Sequence, residues 1–187
     1  MVRSFDGTPV NHDWLDDLCA HALWAPTAGH SAGVRMHTVG PSSIGAYFDV
    51  ATDPAWRATA RRAPGLERAG AAVLVTSRPG DYLKRYGELD KASSGLDRRD
   101  AWPVPYWHTD AAMASMALLL LLEESHWQAT IWGNFRYDRA VLEWAGAPDE
   151  ELFATVLIGR ADGADAPSTS LQRDVTPRRA RVRRVEP

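Results

Sequence analysis

The groups in this sequence that could handle an anion or a flat polar ring are guanidinium, hydroxyl and bare backbone. Arg3 and Ser4 stand just before the first amphipathic stretch. Arg173, Arg178, Arg179, Arg181, Arg183 and Arg184 crowd the last fifteen residues. Clustered guanidinium groups clamp phosphate through paired N–H donors. Taken alone, such a charge run is usually a solvated or RNA-binding tail. Residues 25–31 read A-P-T-A-G-H-S. They offer a Thr hydroxyl, free N–H groups and little side-chain bulk. Two readings stand side by side: a helix stop, or bare backbone laid against a ligand.

Other chemistries leave no trace. The six His show no H-x-x-x-H or H-E-x-x-H spacing, and Cys19 is the single Cys, so no metal-ligand pattern forms. No G-x-S-x-G elbow marks a serine hydrolase. No G-x-G-x-x-G follows the first strand, and no G-x-x-x-x-G-K-[ST] is present. A lone Cys on an apolar helix face is a small core residue, and no intrachain disulfide is possible.

The elements that must position these groups follow from periodicity and breakers. Asn11 or Asp13 caps a first helix that runs to about Trp24 and buries Trp14, Leu15, Leu18, Cys19, Ala22 and Leu23 on one stripe. Pro26 is expected to end it. Val34 to Val39 reads as a strand, and Ile44 to Phe48 and Pro54 to Arg62 as helices. Ala69 to Thr76 is a short apolar run bounded by Gly70 and S-R-P-G, hence a buried strand. Residues 79–105 are the least regular part, a lid or a variable surface connection. A helix from Thr109 to about Ser125 is apolar nearly all round, which places it at the domain centre or at a subunit interface. Thr109 is its expected N-cap, with Asp110 favoured by the helix dipole. Thr130 to Trp132 is extended, Arg136 to Ala145 helical, and Phe153 to Ile158 a strand closed by Gly159. This order predicts helices on both faces of a small sheet, and an Arg-bearing arm from Asp162 to the end.

The 187 residues suit one domain, and 45% hydrophobic content with eight Trp provides a core. A net charge of -3 gives no global argument for nucleic acid or an anionic membrane. The first ten residues lack the apolar stretch of a signal peptide, and the apolar run around Leu118 to Leu122 is too short to span a bilayer. A soluble, cytoplasmic protein is expected.

Three blocks, in order, resemble the nitroreductase family of flavin-dependent oxidoreductases. V-R-S-F-D-G-T-P-V, then a helix and A-L-W-A-P-T-A-G-H-S, is similar to the family's R-x-x-R-x-F-x-x-x-P-V opening and its A-P-S-x-x-N-x-Q-P-W loop. Y-W-H-T-D-A-A-M-A-S-M-A-L-L-L-L resembles the central helix opening with D-x-A-x-A, and continues to T-I-W-G-N-F, where the family has a Gly-containing segment beneath the flavin. L-F-A-T-V-L-I-G-R resembles the last core strand before an Arg-bearing tail. The family's first Arg would fall at or before Met1. That removes a phosphate contact unless another Arg replaces it. Ala32, Gly33 and Val34 stand in place of Q-P-W.

The resemblance implies an α+β, three-layer α-β-α sandwich and an intertwined homodimer with its C-terminal arm exchanged. It implies FMN at the dimer interface, ping-pong reduction by NAD(P)H, and transfer to a nitroaromatic, quinone or related small acceptor. No nucleic acid and no membrane is expected as partner. By position, Arg3 would contact the flavin or its phosphate, with Ser4 beside it. Pro26, Thr27, Ala28, Gly29 and His30 match the loop against the isoalloxazine, with His30 where Asn is usual. Ile131, Trp132 and Gly133 match the segment near flavin N5, and Arg178 or Arg179 the tail residue gripping the phosphate. No side-chain acid or base is required, because the flavin carries the hydride. A non-catalytic homodimer that binds or sequesters flavin is the alternative on the same fold.

Overall fold

The computed structural model describes residues 1–133, 136–165 and 168–185; Asn134 and Phe135 of T-I-W-G-N-F lie outside them. Four strands form one sheet in the order β1-β2-β4-β3. They are β1 Val34–Val39, β2 Ala71–Ser77, β3 Gln128–Trp132 and β4 Glu151–Gly159. Every neighbouring pair is antiparallel. β2 is buried along its whole length, as its unbroken apolar run requires when both faces are covered. Side chains alternate across the sheet, so Val73, Val75, Val156 and Ile158 face one layer and Leu74 and Leu157 the other.

The first layer is α1 (His12–Ala22) and α6 (Tyr106–Glu124), which contribute Leu15, Cys19, Ala114 and Leu118. The second holds α2 (Ile44–Ala51), and after α3 (Pro54–Thr59), α4 (Ala63–Leu66) and α5 (Pro79–Tyr86) the chain returns to it as α7 (Asp138–Trp144). Tyr47, Phe48 and Val141 pack there around Phe5. This is the expected three-layer α+β sandwich. Cys19 is 4% exposed, and burial, aided by the Asp16 charge, pushes its thiol up to about 12. No helix among the described residues is long and apolar enough to cross a membrane.

Several boundaries differ from expectation. α1 ends at Ala22, two residues before the expected Trp24. Its last carbonyls are taken by Leu23, Trp24 and Ala25 N–H groups, in turns completed before the proline. Pro54 opens a helix that closes at Thr59 rather than Arg62. α6 begins three residues before Thr109, with Pro105 as N-cap, and the Thr109 hydroxyl donates to Tyr106 O inside the first turns. The early start is a tertiary effect: Trp107 is buried and its Nε1 donates to Glu151. Residues 79–105 are more ordered than their sequence predicts. They open with α5, and Tyr82 and Trp102 join Trp107 in a third buried cluster.

α6 explains its uniform apolarity in two halves. Ala111, Ala114, Leu118 and Leu122 pack on the sheet, while Met113, Met116 and Leu120 are 40%, 53% and 59% exposed on the opposite side.

Candidate functional site

The first five residues are seated by two glycines. A Cβ on Gly159 would stand 2.8 Å from the Phe5 ring, and one on Gly65 would stand 2.5 Å from the Ser4 hydroxyl. Phe5 is fully buried; its N–H donates to Gly65 O at 3.1 Å, and it bridges Ala161. Arg3 and Ser4 are thereby held against the α3–α4 turn. There Arg61, Arg62 and Gly65, with Ala164 and Asp165 from the segment after β4, complete a cleft of about 50 Å³. Two carboxylates reach this seat. Arg3 N–H donates to Asp165 Oδ2 at 2.9 Å, and the Ser4 hydroxyl to Asp162 Oδ2 at 2.7 Å. Hydrogen bonds from Ala164 N–H and Ser4, with the Arg68 charge, hold the Asp162 carboxyl below its ordinary range.

The N-terminal segment runs beside β3, an edge strand. Val2 N–H donates to Ala129 O at 3.1 Å. That bond shows Ala129 turned away from β4, and the antiparallel alternation turns the Ile131 backbone groups outward with it. Ile131, 36% exposed, shares this edge with Arg3's segment. Trp132 points instead toward α2 and α3. Its ring stacks on Phe48 at 5.3 Å and 26°, and on Trp56 at 6.0 Å and 22°. The bulky side chain is thus absorbed by its own helices. An adjoining cleft of about 300 Å³ is lined by Thr52, Asp53, Trp56, Trp132, Gly133 and Tyr137.

Residues 25–32 end in a run of left-handed backbone. Gly29, His30 and Ala32 have φ of 60°, 56° and 49°, a left-handed conformation that costs non-glycine residues energy. Other elements hold it. Ala28 N–H donates to Asp110 Oδ2 at 2.7 Å, Arg85 Nε donates to Gly29 O at 2.9 Å, and Ala32 N–H donates to the Thr27 hydroxyl at 3.2 Å. A Cβ on Gly29 would stand 2.8 Å from the Tyr86 ring. The glycine therefore has a reason inside this chain. Pro26 and His30 remain exposed, while Thr27, Ala28 and Gly29 are half-buried.

Asp110 corrects an expectation. It is not at a helix end serving the dipole. It is 1% exposed in α6, accepts from Ala28 N–H, and accepts from the Tyr82 hydroxyl at 2.9 Å. Among the described residues its Oδ1 is buried without a protein partner. Burial, then the bond to Asp110, pushes the Tyr82 hydroxyl pKa far up, so that hydroxyl remains a donor. No short motif joins Tyr82, Arg85 and Asp110; only the fold brings them to the loop.

The predicted residues fall into three groups. Arg3 and Ser4 follow Val2, which bonds the β3 edge at Ala129, while Ile131, Trp132 and Gly133 continue that edge in the other direction, where Trp132 and Gly133 line a separate cleft. Residues 26–30 lead into β1, the opposite edge, three strand spacings or about 14 Å across. Arg178 and Arg179 sit exposed in a short turn over Arg178–Arg181, whose hydrogen bonds are local. One protomer does not bring the three groups together. Arg61 and Arg62, which no sequence motif marks, line the same cleft as Arg3.

A four-stranded antiparallel sheet between helical layers, with a basic seat along its edge strand, defines a three-layer α+β protein. The chain belongs to the nitroreductase family, whose model matches residues 1–160. Among solved structures it is similar to a nitroreductase-like protein from Streptococcus mutans, at TM-score 0.65 and 18% identity, with 94% of this chain and 93% of that one covered. It is similar to nitroreductase CinD from Lactococcus lactis in complex with nicotinic acid, at TM-score 0.69 and 14% identity, with 95% of each chain covered. A protein from Exiguobacterium sibiricum in complex with FMN matches at TM-score 0.63 and 15% identity, over 94% of this chain and 92% of that one. No curated protein sequence matches the chain.

Proposed function

We propose that this chain is an FMN-dependent oxidoreductase that works as a cytoplasmic homodimer. It would pass electrons from NAD(P)H to a nitroaromatic, quinone or related small acceptor in ping-pong order. The observation that carries the reading is the basic seat of Arg3 and Ser4 beside the outward backbone of β3. A flavin needs both a cationic group and a backbone donor at its polar edge, and both would be offered along this one edge strand.

When bound, FMN accepts a hydride from the nicotinamide and passes reducing equivalents to the acceptor. The chain's own groups bind and orient. N–H groups of Ile131 and Gly133 would donate toward N5, and Arg3 would stand near N1 and O2, where negative charge collects on reduction. Residues 26–30 lie across the sheet from this edge, so they would serve the seat of the partner copy. Arg178 and Arg179, on the exposed arm, would likewise reach the phosphate of a neighbouring seat. Met113, Met116 and Leu120 supply an apolar stripe through which the two copies would pack.

The absorption spectrum of the purified protein tests the cofactor. Flavin bands, bleached by NADH or NADPH under argon, are expected. Bands that persist with both donors would favour the flavin-holding homodimer instead. A colourless protein that takes up no added FMN would overturn the reading. Replacing Arg178 and Arg179 by Ala is expected to loosen FMN.

A further inference from the structure

The cleft at the end of β3 lies apart from the Arg3 seat, among the end of α2, α3 and the segment entering α7. Trp56, Trp132, Arg136 and Tyr137 are among the side chains that line its roughly 300 Å³. The rings on this side form a ladder. Phe48 stacks on Trp132 at 5.3 Å and 26°, and Trp132 on Trp56 at 6.0 Å and 22°. Phe48, at one end, is fully buried; Trp56, at the other, is 37% exposed. We infer that this cleft binds a flat aromatic carboxylate, with its ring against Trp56 and its carboxylate against Arg136. The side chains of one protomer suffice, and the site does not depend on the flavin reading.

Three observations carry it. The first is shape. The ladder of nearly parallel rings ends at a cleft, where a ligand ring continues the series. Ligand pockets run from roughly 300 to 1,000 Å³, so this one suits one or two fused rings and is too small for a dinucleotide. An electron-rich indole face also favours a ring whose density a carboxylate draws off. The second is charge. Among the described residues Arg136 makes no hydrogen bond or ion pair, and a guanidinium fork matches a carboxylate. The third is that Asp53, the carboxylate lining the cleft, is already engaged. Its Oδ1 accepts from Ala55 N–H at 2.6 Å and Trp56 N–H at 3.3 Å, and its Oδ2 accepts from the Tyr137 hydroxyl at 3.4 Å. Asp53 thus braces two of the lining rings and leaves the Arg136 charge to the ligand. A neutral ring would satisfy the ladder alone, and a saturated acid would satisfy Arg136 alone.

The test is calorimetric titration of the purified protein with 2-naphthoate, 2-naphthamide and cyclohexanecarboxylate, which separate ring from charge without turnover. The wild type is expected to bind 2-naphthoate about tenfold more tightly than either of the others. Arg136→Gln is expected to weaken 2-naphthoate about tenfold and leave 2-naphthamide unchanged, as loss of one charge-assisted pair would. Trp56→Leu is expected to weaken both naphthyl ligands about fivefold. Circular dichroism checks folding, and because Arg136 is exposed its variant tests the site on its own. No binding of 2-naphthoate to the wild type, or binding that Arg136→Gln leaves unaltered, would overturn the inference. A shift of flavin absorption on binding, with an affinity that neither variant changes, would put the ring on the flavin and overturn it too. A colourless protein that still binds 2-naphthoate, and loses it with Arg136→Gln, would keep this site while the flavin reading falls.

Discussion

Replacing Asp110 by Ala should cost far more than a surface carboxylate does. Asp110 is 1% exposed and joins α6 to residue 28 and to α5 through one oxygen. Truncation leaves the Ala28 N–H and the Tyr82 hydroxyl without their acceptor, at about 1–3 kcal/mol for each buried group. Against this, the Oδ1 atom that has no protein partner among the described residues is no longer buried. The net expectation is a loss of about 2–4 kcal/mol, or about 4–16 °C in Tm at about 2–4 °C per kcal/mol for a chain of this size. Tyr82→Phe removes one donor and leaves Asp110 its bond to Ala28, so about 1–2 kcal/mol is expected. The double variant should lose less than the sum, by about 1 kcal/mol, because the two groups share a bond. Urea unfolding followed by tryptophan fluorescence, at one protein concentration throughout, measures all three. A loss under about 1 kcal/mol for Asp110→Ala, or strict additivity, would refute the account of this carboxylate as the pin of the loop.

The Cys19 thiol, pushed up to about 12 by burial, should resist a disulfide reagent at neutral pH while folded and react once urea opens the core; prompt reaction of the native protein would contradict this packing. Asp162 has a folded pKa below its ordinary 3.8, so its contribution exists above that value and fades as pH falls through the lower folded value. The difference in urea midpoint between the wild type and Asp162→Asn should hold from pH 7 to 5 and close below 3.8; a pH-independent difference would exclude the linkage. Met116→Glu with Leu120→Glu places charge on the outer stripe of α6. Light scattering is expected to show a dimer for the unaltered chain and a monomer for this variant, and equal masses would move the interface elsewhere.

Much of the scaffold was legible because its signals are local. β1 appears where its residues place it, and the apolar run of β2 forms a strand buried on both faces. Cys19 lies in the core as its helical stripe demands. The start of α6 was hidden because Trp107 is drawn in by Glu151, 44 residues away. α5 was missed although Pro79 stands at a helix start, since the charged residues after Tyr86 mask a helix of eight residues. At the site, Arg3 and Ser4 carry a motif and could be named. Arg61 and Arg62 carry none; they come to the cleft through the α3–α4 turn and the glycine at position 65. The loop at 25–31 announced an unusual backbone, but not that Tyr86, Arg85 and Asp110 would hold it.

The sheet order has a consequence for how the protein is made. β4 lies between β2 and β3, yet it is the last strand to be synthesised. Before it emerges from the ribosome, the nascent chain can close only the β1–β2 pair, and β3 has no strand to pair with. Phe5 must also wait for Ala161, so the earliest residues close on nearly the latest. Such long-range pairing slows folding and leaves strand edges open to aggregation in the interval. Chains shortened before residue 151 should be recovered as insoluble or protease-sensitive material rather than as a smaller folded unit.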